Sequence, residues 1–74
     1  MPKLPAKAPS GRVMKMLIMK GYQAKPASGG SHIIFEKEGC RPIPVSTSKN
    51  IPRGTLINIL KSAGISRMEF FLIW

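Results

Sequence analysis

Gly29-Gly30-Ser31-His32-Ile33-Ile34-Phe35 decides how the rest of the chain is read, because it joins a turn to a strand in mid-sequence. The glycine pair lets the backbone turn tightly and lets a large ligand approach closely. Ile33, Ile34 and Phe35 are β-branched or aromatic, the side chains that suit a pleated strand. His32, the single histidine of the chain, therefore stands where a turn enters a strand, with one side of its imidazole open. Two readings are available from this stretch. Imidazole titrates near physiological pH and can act as an acid or base. It can equally be a half-buried structural group with both ring nitrogens satisfied.

Outward from that stretch, Ser31 to Lys37 reads as a strand, Glu38-Gly39 as a tight hairpin turn, and Arg41 to Val45 as the next strand. Pro42 and Pro44 cannot donate to a ladder, which predicts an edge position for that strand. On the other side, Lys25 to Gly30 reads as a loop and Tyr22 to Ala24 as a short strand. Val13, Met16, Leu17 and Lys20 recur at helical spacing after Ser10, a plausible cap, and Gly21 ends that helix. Residues 1–9, with Pro2, Pro5 and Pro9, read as an irregular N-terminal arm, and residues 10–74 as a single domain. Past the sheet, Ser46 to Asn50 is polar loop. Asn50 or Ile51 then stands near the cap of a second helix with Pro52 in its first turn. Leu56, Ile59, Leu60 and Ala63 form its apolar face and Gly64 closes it. Ser66-Arg67-Met68-Glu69 is a capping box opening a short last helix from Arg67 to about Ile73. The order predicts an α+β fold: a three-stranded antiparallel sheet with two helices on one face (α-β-β-β-α), plus a short C-terminal helix.

Twelve Lys and Arg against three acidic residues give a net charge of +9 in 74 residues. In so small a domain this makes a polyanion the expected partner, with phosphate backbones foremost. The lone Cys40 offers neither a disulfide framework nor a thiolate metal cluster, which fits a reducing, cytoplasmic setting. No apolar run is long enough for a membrane span or a leader.

The inventory excludes much chemistry. Metal-assisted phosphoryl transfer needs converging carboxylates, and the chain has only Glu36, Glu38 and Glu69. No aspartate is present for a Ser–His–Asp triad, and no phosphate-binding nucleotide loop is found. What remains is one imidazole in a positive field, with no cofactor or metal called for. RNA suits that set, because its own 2′-hydroxyl supplies the nucleophile. The protein then needs a base for that proton and cations for the charge on phosphorus.

Gly30-Ser31-His32 at a strand start, Ile43-Pro44-Val45, and Pro52-Arg53-Gly54-Thr55-Leu56 leading to Ile59-Leu60-Lys61-Ser62-Ala63-Gly64-Ile65 together resemble the HicA toxin family. Met1-Pro2-Lys3-Leu4-Pro5 and the helix ending at Gly21-Tyr22 resemble many members too. The resemblance implies a fold like that of the double-stranded-RNA-binding domain. It also implies a metal-independent mRNA interferase, an endoribonuclease whose partner is a HicB-type antitoxin that covers the active site. It carries the catalytic role to His32 and the neighbouring glycine to Gly30; the second histidine of many members corresponds to Ile33. Ser31, Lys25, Lys37, Arg41, Lys49 and Arg53 flank that position and are the expected RNA contacts. Two other functions fit the same residues. One is a non-catalytic RNA-binding module, and the other a basic adaptor for an acidic protein.

Overall fold

The turn expected at Glu38-Gly39 closes the central hairpin. Gly39 sits at φ 78°, which a side chain would resist, and Cys40 N–H donates to the Lys37 carbonyl at 3.0 Å. The computed structural model describes residues 3–26 and 32–74; Gly29, Gly30 and Ser31 lie outside the described residues. In chain order the elements are β1 (Lys7–Pro9), α1 (Ser10–Met19), β2 (Gln23–Pro26), β3 (His32–Glu36) and β4 (Ile43–Ser46). β5 (Asn50–Pro52), α2 (Arg53–Ala63) and α3 (Arg67–Ile73) follow. Strands β2, β3 and β4 form an antiparallel sheet in that order. β4, the strand with Pro44, is an edge, as a residue without an N–H requires.

Strand alternation then sorts the sheet into two faces. Ile33 pairs with Val45 and Phe35 with Ile43, and these point into a core shared with Val13, Met16 and Leu17 of α1 and Leu56, Ile59 and Leu60 of α2. His32 pairs with Ser46 and Ile34 with Pro44 on the opposite, outward face. The predicted α+β arrangement is present, its two long helices packed through one core and α3 adding the buried Phe70. Trp74 stacks on Phe70 at 4.8 Å and carries the Arg12 guanidinium on its ring at 4.4 Å. Leu72 points to solvent, 81% exposed. Among the described residues no helix is long and apolar enough to cross a membrane.

The expected irregular arm is corrected over its second half. Lys7–Pro9 pair antiparallel with Asn50–Pro52, forming a ribbon separate from the sheet. Leu4 and Ala8 are buried in the common core. Arg53 clamps this segment twice, its N–H donating to the Ala6 carbonyl at 3.1 Å and its Nε to the Leu4 carbonyl at 2.8 Å. Ser10 is likewise not the cap of α1. Pro9 takes that place without a side-chain bond, and the Ser10 N–H donates to the Lys49 carbonyl at 3.1 Å instead. Asn50 and Ile51 belong to β5 and Pro52 caps α2, again with no side-chain bond. Before α3, Ser66 Oγ accepts from Glu69 N–H at 3.1 Å, the expected half of the capping box. The Glu69 carboxylate turns instead to Lys20, the residue at the C-terminal cap of α1.

Candidate functional site

His32 opens β3 with its side chain exposed on the outward face of the sheet. Alternation explains why: Ile33 and Phe35 pack toward the core, so positions 32, 34 and 36 must face away from it. This also disposes of the departure at position 33. A side chain there faces inward, and Ile33 is half-buried against the core. Position 33 therefore cannot present a second imidazole beside the first on the outer face.

Two neighbours share the outer face with His32. Ser46 stands directly across the ladder in β4. Lys25 of β2 lies opposite Ile34, which makes it the diagonal neighbour of His32, a relation that spans about 7–8 Å between backbones. Its Nζ pairs with Glu36 Oε1 at 3.1 Å, both side chains being about half exposed. An exposed pair of this kind is worth about 1 kcal/mol or less, so the ammonium can exchange the carboxylate for a phosphate at little cost. Beyond Ser46 runs a short hydroxyl-rich loop. Ser46 Oγ donates to Ser48 Oγ at 2.8 Å and accepts from Ser48 N–H at 3.1 Å. The exposed Lys49 follows, its carbonyl held by α1.

The other expected RNA contacts are dispersed. Lys37 follows the far end of β3, about 16 Å from His32 along the strand. There its Nζ donates to the Lys20 carbonyl at 2.9 Å, satisfying the C-terminus of α1, and lies 5.6 Å from the Tyr22 ring centroid. Arg41 stands exposed in the same hairpin end. Arg53 is occupied with the N-terminal segment. Gly30 and Ser31 lie outside the described residues. Of the predicted set, the structure brings Lys25 to the face of His32 and Lys49 to its end of the sheet. It sends Lys37, Arg41 and Arg53 elsewhere.

At that far end an open cavity of about 560 Å³ is lined by residues including Gly21, Glu36, Glu38 and Cys40. Tyr22 beside it is buried, and that burial, then the hydrogen bond and charge of the Cys40 thiol, push its hydroxyl above the usual tyrosine value of 10.0. A concavity of this kind suits a small molecule. The imidazole, in contrast, stands on an open face that a polymer can cover. Among the described residues no three His, Cys, Asp or Glu side chains gather to hold a metal.

Ser46 and Ser48 were not among the residues expected at the site, because the sequence presents them only as polar loop. Equal steps on either side of the Gly39 turn pair position 32 with position 46, and that count is the signal that finds Ser46.

This geometry lies within the span of one family model, HicA toxin of bacterial toxin-antitoxin, which matches residues 11–65. The chain belongs to the HicA toxin family. No curated protein and no solved structure matches it. The HicA match begins inside α1 and ends just after α2. It therefore takes in the sheet and both long helices and leaves the β1 segment and α3 outside. As a HicA toxin the chain is one half of a toxin–antitoxin pair, with a cognate antitoxin as partner.

Proposed function

We propose that the toxic activity is metal-independent endoribonuclease cleavage of mRNA, with His32 as the general base. The observation that carries this reading is the exposed imidazole on the outer sheet face, beside Lys25 and the Ser46–Lys49 loop, in a chain of net charge +9. His32 takes the proton of a ribose 2′-hydroxyl, and the freed oxygen attacks the adjacent phosphorus. The O2′–P bond forms and the P–O5′ bond breaks. The 5′ fragment keeps a cyclic phosphate, and the departing O5′ takes a proton from solvent. Lys25 and Lys49, on the same face and at the same end of the sheet, hold the charge on the phosphate in this reading. Acting on mRNA puts the protein in the cytoplasm, where a HicB-type antitoxin silences it by covering this face.

The test is purified protein with synthetic RNA in the presence of a chelator, against His32→Ala. Cleavage should persist without divalent metal, fall by about 10²–10⁴-fold in the variant, and stop when a 2′-deoxy nucleotide replaces the one at the scissile bond. Cleavage that survives in His32→Ala would sink the mechanism. RNA binding with no cleavage by either protein would make the chain a binding module instead.

A further inference from the structure

We propose that an apolar groove beside α2, rimmed by Lys61 and Arg67, receives an anchor of the cognate antitoxin: one large apolar side chain with a carboxylate next to it. This rests on the toxin–antitoxin partnership and not on the chemistry of His32. The groove has a local origin. Gly64 adopts the left-handed conformation at φ 69°. Its N–H donates to the Lys61 carbonyl at 3.2 Å, and the Ile65 N–H donates to the Leu60 carbonyl at 2.9 Å. This pair of bonds turns the chain back over the last turn of α2 and sets Ile65 beside Leu60. Ile57, Leu60 and Lys61 share one face of α2 by their spacing of three and four. Leu4, held through its carbonyl by Arg53, and Arg67 at the start of α3 complete the lining. None of these six residues belongs to the three-stranded sheet that carries His32.

Size and charge select the occupant. The groove holds about 190 Å³, below the roughly 300 Å³ at which small-molecule sites begin but enough for a single side chain. Protein interfaces draw much of their energy from a few side chains seated in such pockets. The lining is aliphatic apart from its two cations, with no ring on which a nucleic-acid base could stack. Lys61 and Arg67 stand exposed at the rim, and no acidic side chain is among the described residues that line it. The chain's own carboxylates lie elsewhere. Glu36 and Glu38 line the cavity at the hairpin end, and Glu69 pairs with Lys20. A second copy of the chain would bring a further +9 to this rim, and like charges brought together oppose association. An acidic protein complements both the rim and the whole molecule, and the antitoxin is the protein partner that family membership supplies.

The test is the Kd of the full-length toxin for its purified cognate antitoxin, by titration calorimetry at one fixed salt concentration, with backbone amide spectra to verify folding. Ile57→Trp fills the groove without changing charge, and Lys61→Glu/Arg67→Glu reverses its rim. Each should weaken binding by about 30-fold or more, the loss of a hot spot. Lys7→Glu/Lys15→Glu makes the same change of charge at two exposed lysines elsewhere and should stay within about five-fold. Groove variants that bind the antitoxin no worse than this control pair overturn the proposal. So does a dimer of the natural toxin in sedimentation equilibrium that Ile57→Trp abolishes, which makes a second copy the occupant. Weakened RNA binding by Ile57→Trp with antitoxin affinity unchanged overturns it in favour of RNA. If Ile57→Trp does not fold, the comparison of the two charge-reversal pairs decides. A groove-dependent antitoxin affinity in a chain that cuts no RNA upholds the docking site and removes the catalytic reading alone.

Discussion

At one end of the three-stranded sheet stand His32, Ser46 and the loop to Lys49; at the other stand Lys37, the Gly39 turn and Arg41. Both ends are polar and basic, yet their side chains are used differently. Lys37 closes the C-terminus of α1 and covers Tyr22, so its charge serves the fold. At the His32 end the hydroxyls of Ser46 and Ser48 bond to each other and leave the imidazole on an open face. A net charge of +9 therefore overstates the cations available to a substrate. Arg53 and Lys20 are likewise engaged inside the molecule, with Leu4 and Glu69.

The sharpest way to break this contrast is to compare His32→Ala with the double variant Lys37→Ala/Arg41→Ala in an RNA cleavage assay. The first should lose about 10²–10⁴-fold with an unchanged melting temperature, and the second should stay within about two-fold. Comparable losses would erase the distinction between the ends. Phe35, the fourth residue of β3, is the floor beneath both and is fully buried. Phe35→Ala should cost about 3–5 kcal/mol in urea unfolding and disable the two ends together.

Smaller effects sharpen the contrast. Lys49→Gln and Lys25→Gln should each weaken RNA binding several-fold and lower the salt slope by about 1, whereas Lys37→Gln should leave that slope alone. Lys37→Gln should instead cost about 0.5–1.5 kcal/mol of stability, through the bond to the Lys20 carbonyl. The smallest effect is alkaline. The fold holds the Tyr22 proton above the unfolded value of 10.0, so the native state binds more protons than the unfolded chain just above that pH. Stability then falls as pH climbs past 10, and Tyr22→Phe should flatten that slope in a pH series of thermal melts.

The sequence makes some of this legible and hides the rest for physical reasons. The stripe Val13, Met16, Leu17, the turn at Gly39, the edge strand marked by Pro44 and the Ser66 cap are local signals, and each is found in the structure. The β1–β5 ribbon has no local signal. Its strands are three residues long and carry Pro9 and Pro52, so neither periodicity nor propensity marks them, and only the pairing across the chain creates them. The imidazole was legible because a single histidine at a strand start is conspicuous. Its surroundings were not, since closeness in sequence says little about which end or face of a sheet a lysine occupies. Lys37, five positions from His32, sits at the wrong end, while Lys25, seven away, is its diagonal neighbour.

The ribbon also bears on how the chain folds as it is made. Lys7–Pro9 pair with Asn50–Pro52, so this segment waits for roughly forty further residues before its partner is made. At translation speeds of about 5–20 residues per second that delay lasts seconds, and such distant pairings form late in any case. Until Arg53 emerges and takes the Leu4 carbonyl, the nascent toxin cannot seat the segment from Leu4 to Pro9. For that interval it is an unfinished polypeptide beside the very message it is read from.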